Sequence, residues 1–238
     1  MIELKEGWCS DTEKLRRIII SPFNGQFIFK EDKYLIGKSN QNNDEFDKLL
    51  FVRRDIKKIS IPQNIKIIES FSFSDSKIEE IFIPPSVTKI CENAFYGCEN
   101  LRKVEIPTNS NLQTIEKCAF SKSDIEKISI PQSVTKICEH AFSYCDNLRK
   151  VEIPTNSNLQ TIEKYAFSGS KIEEIFIPQS VTKICEHAFY FCTELIIIEI
   201  SEESQLKSIS ISSFEKCQEH MIIMIPSSLK ELIKINKY

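Results

Sequence analysis

Residues 85–130 read PSVTKICENAFYGCENLRKVEIPTNSNLQTIEKCAFSKSDIEKISI, and residues 132–177 read QSVTKICEHAFSYCDNLRKVEIPTNSNLQTIEKYAFSGSKIEEIFI. From Pro85 to Gln132 is 47 residues, and QSVTKICEHAFYFC opens the unit again at Gln179. Self-similarity at a fixed period means that the chain is a stack of like units rather than one closed core. Each unit holds two shorter ones. Ile-Pro dipeptides end at Pro62, Pro84, Pro107, Pro131, Pro154 and Pro178, in steps of 22, 23, 24, 23 and 24. Ser201 takes the proline's place once, and Pro226 restores it.

These steps fall inside the ~20–29 residue range of leucine-rich repeats. Before each Ile-Pro stand Leu101, Val104 and Ile106; Ile125, Ile128 and Ile130; Leu148, Val151 and Ile153. The closing V-x-I alternation is the period of a strand with one buried face. Proline lacks a ladder donor and ends it. The following V-x-x-I-x-x-x-A-F, as in Val87, Ile90, Ala94 and Phe95, has the spacing of a helical turn. Stacked coils put Phe73, Phe95, Phe120, Phe142, Phe167, Phe189 and Phe214 into one aromatic spine. The expected fold is an α/β-type repeat, a solenoid with a short parallel concave sheet and short helix or 3-10 turns on its convex side. A lone coil could not offset ~1–2 kcal/mol of backbone entropy per residue, so stability must come from stacking.

The ends are less regular. Leu15, Ile18 and Ile20 before Ser21-Pro22 mimic a strand unit, which would start the solenoid near residue 13 and give about nine units. FNGQFIFKEDKYLIGK reads as a hairpin through Glu31-Asp32, SNQNNDEFD as a polar loop, and PSSLKELI as a match to PQSVTKIC. Residues 1–54 are therefore expected to form an irregular, cap-like segment, and residues 55–238 a solenoid of 22–25 residue repeats.

Composition removes several functions. The net charge of −3, with both signs mixed along the chain, offers no basic face for a nucleic acid. With 5 glycines and neither GxGxxG nor GxxxxGK[ST], no phosphate cradle is expected. The longest apolar runs, such as Leu195–Ile198, fall far short of the ~20 residues that cross a bilayer, so no membrane insertion is expected. MIELKEGWCSDTEKLRR lacks the apolar stretch of a secretory signal.

Alternation points two residues of each strand outward. The first row is Lys58, Glu80, Lys103, Lys127, Lys150, Glu174 and Ile197; the second is Ser60, Phe82, Glu105, Ser129, Glu152, Phe176 and Glu199. Phe82 and Phe176 would lie four strands apart, ~19 Å at ~4.8 Å per strand. They are the candidate aromatic anchors for a protein partner, with Lys103, Glu105, Lys127, Lys150, Glu152 and Glu174 around them. Packing on neighbouring strand residues is the simpler role for both rings.

Nine cysteines form no CxxC pair. Cys98, Cys145, Cys192 and Cys217 share one position, which Ser76, Ser123 and Ser170 fill in alternate coils. Only Cys192 and Cys217 are in adjacent coils, where a disulfide or a ladder of buried thiols would fit. Cys118 shares a column with His140, Tyr165 and His187. A Cys118–His140 pair gives two metal ligands where a structural zinc takes four, so no metal or cofactor is expected. No Ser or Cys stands beside a His and an orienting carboxylate, and Glu105 and Glu152 lie two strands apart on an open sheet, so no enzyme is expected either.

The string IPQSVTKICEHAFSYCDNLRKVEIP is similar to the repeat of BspA-like leucine-rich-repeat proteins of anaerobic bacteria and parasitic protists, and the likeness runs over residues 56–233. The resemblance implies a curved solenoid displayed at the cell surface that adheres to or recognises other proteins, with no catalytic residues. An intracellular scaffold or signalling adaptor of the same fold is the other class, favoured by the missing secretory signal. End-to-end self-association through the exposed ends of the array is a further expectation.

Overall fold

A computed structural model describes residues 4–229, except residues 6, 13, 22, 41 and 43. The coils stack into two mainly parallel sheets of seven and ten strands. The seven-stranded sheet takes the segments before Ile-Pro: Glu80–Phe82, Lys103–Glu105, Lys127–Ser129, Lys150–Glu152, Glu174–Ile177, Ile197–Ile200 and Ile222–Met224. Equivalent residues pair in register, as in Lys150↔Lys127, Val151↔Ile128 and Glu152↔Ser129. The first Ile-Pro unit contributes only an isolated bridge, Lys58↔Glu80. Each proline carbonyl then accepts a turn hydrogen bond, for example from Val87 N to Pro84 O at 3.0 Å. Ser201 does the same for Ser204 N at 3.0 Å, so the turn needs the carbonyl and not the ring.

The expected convex helix is realised only in part. The 3-10 turns Ile211–Phe214 and Ser227–Leu229 occur in the last coils. In earlier coils the Lys89–Ile90 position is a two-residue strand, repeated as Thr114–Ile115, Lys136–Ile137, Thr161–Ile162 and Lys183–Ile184 in the ten-stranded sheet. A helix would bond these amides within the coil. Here Cys91 N instead donates to Ile68 O of the previous coil at 2.9 Å. The chain next turns through left-handed residues, Asn93 (φ 56°) and Gly97 (φ 66°) in one coil, Cys118 (φ 53°) and Lys122 (φ 58°) in the next. Such residues do not belong in a right-handed helix. The bends are held by inter-coil bonds, Asn93 N to Lys117 O at 3.0 Å and Gly97 N to Ser121 O at 2.9 Å.

Between the sheets lies one continuous apolar core of strand Ile, Leu and Val and of the phenylalanine spine. The six rings from Phe73 to Phe189 are fully buried. Neighbouring centroids from Phe73 to Phe214 are 4.6, 4.9, 5.3, 5.4, 5.4 and 5.7 Å apart, and the rings are stacked. Alternate coils fill the position three residues later with Cys or Ser. Cys98 Sγ donates to Phe73 O at 3.1 Å and sits 3.5 Å from Ser76 Oγ, and Cys145 repeats both contacts with Phe120 and Ser123. The 47-residue period is thus written into the core as a thiol-over-hydroxyl ladder.

At the N-terminal end the expected hairpin forms. Phe27–Lys30 pairs antiparallel with Tyr34–Gly37, and the turn carries Glu31 and Asp32 at φ 53° and 52°. Tyr34–Gly37 then pairs with Lys48–Val52, which adds to the ten-stranded sheet beside Ile67–Ile68. Leu15, Ile18 and Ile20 form no strand, contrary to expectation. Among the described residues no strand pairs with them, and they pack on a small cluster with Cys9, Leu35 and Phe51. Pro22, part of the 39–47 polar loop, and the PSSLKELI match from Lys230 onward lie outside the described residues. Ser39 closes the base of that loop, its N and Oγ donating to Asp47 at 2.7 and 2.6 Å.

Candidate functional site

The outward positions of the seven-stranded sheet fall into the two rows that alternation predicts. Glu80, Lys103, Lys127, Lys150, Glu174, Ile197 and Ile222 make one, with each adjacent pair matched in register. Phe82 is matched with Glu105, Ser129 with Glu152, and Phe176 with Glu199 and then Met224. Val104, Ile128, Val151, Ile175 and Ile198 point inward and are buried. A trough of about 750 Å³ runs along the outer face, lined by Ser129, Lys150, Glu152, Glu174, Phe176 and Glu199 among others.

The structure separates the two candidate phenylalanines. Phe82 is 39% exposed near one edge of the sheet and does not line the trough, whereas Phe176 is half-buried within it. Lys103 pairs with Glu105 at 3.4 Å. In the centre, the Glu152 carboxylate takes Lys127 Nζ at 2.7 Å, Lys150 Nζ at 3.2 Å and Ser129 Oγ at 2.7 Å. The Lys127 hydrogen bond first, then that of Ser129, hold its pKa down at about 2. A depressed carboxylate stabilises the fold above its unfolded pKa of ~4.3, and that contribution disappears as pH falls towards about 2. This central cluster therefore keeps its charge through mild acid.

Sequence reasoning undervalued the last strands of this face. Ile222 and Met224 are 56 and 52% exposed, and Ile197 and Glu199 line the trough. The signal was the run LIIIEI over residues 195–200, in which isoleucine replaces a charged residue at an outward position.

The opposite side carries the Cys118, His140, Tyr165 and His187 column. His140 stacks on Tyr165 at 4.8 Å and Tyr165 on His187 at 4.9 Å, with Tyr190 edge-on to His187 at 5.4 Å. Burial lowers the His140 pKa. Among the described residues, no group of three or more His, Cys, Asp or Glu has the geometry to hold a metal ion. No described helix is long and apolar enough to cross a membrane.

Cys192 and Cys217 are both free thiols, each donating to a spine carbonyl, Phe167 O and Phe189 O, at 3.1 Å. Burial pushes Cys98, Cys145 and Cys192 up to about 12, so few thiolates exist at neutral pH. Thiol titration in denaturant without reductant should count nine thiols, with the buried ones unreactive in the folded protein. A count of seven would instead establish a disulfide.

Profile comparison matches six copies of the BspA type leucine rich repeat region, over residues 44–156 and 113–236. No curated relative matches the chain. Among solved structures it is similar to the pneumococcal vaccine antigen PcpA, at 23% identity and TM-score 0.63, covering 75% of this chain and 51% of that one. It is also similar to a leucine rich cell surface protein from Faecalibacterium prausnitzii, at 25% identity and TM-score 0.50, covering 79% of this chain and 56% of that one. A third similar structure is a leucine-rich repeat protein from Eubacterium ventriosum, at 21% identity and TM-score 0.51, covering 87% of this chain and 57% of that one. The chain thus spans little more than half the length of each of these structures. The repeat, its stacked coils and the family match agree: this chain belongs to the BspA-type leucine-rich-repeat family.

Proposed function

We propose that this chain is a non-enzymatic protein-interaction module that binds its partner across the outer face of the seven-stranded sheet, in adhesion or surface recognition. The observation that carries this reading is the trough on that face, where Phe176 lies half-buried among Lys150, Glu152 and Glu174. A wide, shallow surface of mixed charge around an aromatic residue suits a protein better than a small molecule, which needs a deeper cavity. The likeness to a cell surface protein favours display outside the cell. A second reading, an intracellular scaffold or signalling adaptor, is favoured by the nine free cysteines, since thiols persist in reducing compartments.

Lys103, Glu105, Lys127, Lys150, Glu152 and Glu174 would set orientation and on-rate, and Phe82 and Phe176 would supply contact area. Residues 1–54 would cap the first coil of the 55–238 solenoid through the hairpin and the small apolar cluster around Phe51. Combining Phe82→Ala with Phe176→Ala should weaken a purified partner's binding at least ~10-fold by calorimetry, a hot-spot loss for two aromatics. Unchanged affinity would remove this face from recognition. Surface biotinylation of native cells decides between the two locations.

A further inference from the structure

The charges on the binding face are not spread evenly. Towards the N-terminal end every charged outward residue is answered from within the face: Lys58 with Glu80 at 3.7 Å, Lys103 with Glu105 at 3.4 Å, and Lys127 and Lys150 with Glu152 at 2.7 and 3.2 Å. Glu174 and Glu199 form no salt bridge or hydrogen bond through their carboxylates among the described residues. They stand on adjacent strands with Glu174 matched to Ile197 and Phe176 to Glu199. The result is a checkerboard in which carboxylates occupy one diagonal and apolar side chains the other. On the next strand both outward positions are apolar, Ile222 beside Ile197 and Met224 beside Glu199, exposed at 56 and 52%.

We propose that this C-terminal part of the face receives an extended segment of a protein partner whose sheet-facing side chains, at every second residue, alternate between basic and apolar. The inference rests on the reading that the face binds protein, and it names the chemistry of what is bound. An occupant must cover Phe176 and Ile197 to gain apolar contact, and in doing so it takes Glu174 and Glu199 out of water. A buried carboxylate without a cation is strongly unfavourable, so an apolar or acidic segment is rejected and a Lys or Arg at each carboxylate is selected. An extended chain presents side chains on one face at every second residue, the spacing that separates Glu174 from Phe176 and Ile197 from Glu199 along each strand. A second copy of this chain docking by the same patch would bring carboxylates towards carboxylates, which the charge pattern opposes.

The test is selection of a phage-displayed library of random dodecapeptides on the full chain. Recovered peptides are then synthesised and measured by fluorescence anisotropy against the wild type, Glu174→Gln/Glu199→Gln and Phe176→Ala. Enrichment of Lys or Arg two residues from an apolar residue is expected, with affinity reduced at least ~10-fold by either variant and weakened by salt. Peptides without basic residues that bind the double glutamine variant undiminished, yet are lost on Phe176→Ala, overturn this inference and leave the face as a binding surface. Binding that ignores all three substitutions overturns both readings. A selection that enriches nothing overturns the proposal, and so does a concentration-dependent dimer that Phe176→Ala abolishes, which assigns the patch to a second copy. Circular dichroism of each variant confirms that these outward substitutions leave the coils folded.

Discussion

Replacing Phe142 with alanine should cost ~3–5 kcal/mol of stability, the range for removing a fully buried aromatic side chain. The ring is 0% exposed and lies between Phe120 and Phe167, at 5.3 and 5.4 Å, with interplanar angles of 1° and 5°. Its removal cuts two stacking contacts and opens a cavity in the middle of the spine. In a linear stack each coil is supported by its neighbours alone, so the loss falls on the two interfaces that Phe142 joins. Urea denaturation followed by circular dichroism should therefore show a lower midpoint and a broadened transition as the two halves uncouple. Phe142→Leu keeps most of the apolar volume and should lose far less. A Phe142→Ala protein within ~1 kcal/mol of the wild type would mean that the spine is not the shared core of the array.

Arg54 should be the second position of large effect, for a different reason. Its guanidinium is buried and donates to four backbone carbonyls: Val52 O at 3.1 Å, Ser72 O at 2.7 Å, Cys9 O at 2.9 Å and Phe71 O at 2.8 Å. It also lies 4.9 Å over the Phe51 ring. The side chain thus ties residues 9 and 52 to the coil at 71–72, joining the N-terminal segment to the array. Desolvation lowers its pKa, but an arginine keeps its charge throughout the physiological range. Arg54→Met fills the space but takes the charged donor from all four carbonyls. Ser72 O, Phe71 O and Cys9 O then keep only neutral donors such as Val52 N, Ser74 N and Thr12 Oγ1, and hydrogen bonds to a charged group are worth ~1.5–3 kcal/mol each. We expect a loss of at least ~3 kcal/mol in thermal unfolding, with residues 1–54 becoming the first site of proteolytic cleavage. Arg54→Lys should not restore stability, because a single ammonium cannot span the planar fork. A lysine variant that melts with the wild type would contradict the clamp.

Much of this architecture was legible in the residues. The Ile-Pro steps gave the coil length, V-x-I gave the inward and outward rows, and the recurring Phe gave the spine, because each repeats in register. The second ladder was hidden by brevity. Two residues such as Lys89-Ile90 carry no alternation of their own, and Val87, Ile90 and Ala94 happen to have helical spacing. The left-handed bends were hidden because Asn93, Cys118, His140, Tyr165 and His187 have little chemistry in common, and the inter-coil hydrogen bonds hold the conformation whichever side chain is present. Leu15, Ile18 and Ile20 satisfied the strand pattern and formed none, since a strand also needs a partner. On the outer face of the seven-stranded sheet the sequence placed Phe82 and Phe176 in one row, but only neighbouring side chains reveal that Glu174 and Glu199 have no ion-pair partner among the described residues while Glu152 is held by three groups.

Every row on either face exists because each coil lies squarely on the one before it. The most direct measurement is a nuclear Overhauser spectrum of protein carrying protonated phenylalanine in a deuterated background. Ring-to-ring cross-peaks should run without a break from Phe73 through Phe95, Phe120, Phe142 and Phe167 to Phe189, whose centroids are 4.6–5.4 Å apart. Rings that show cross-peaks only within isolated pairs, or to partners outside this order, would contradict the stack and with it the face that the stack builds.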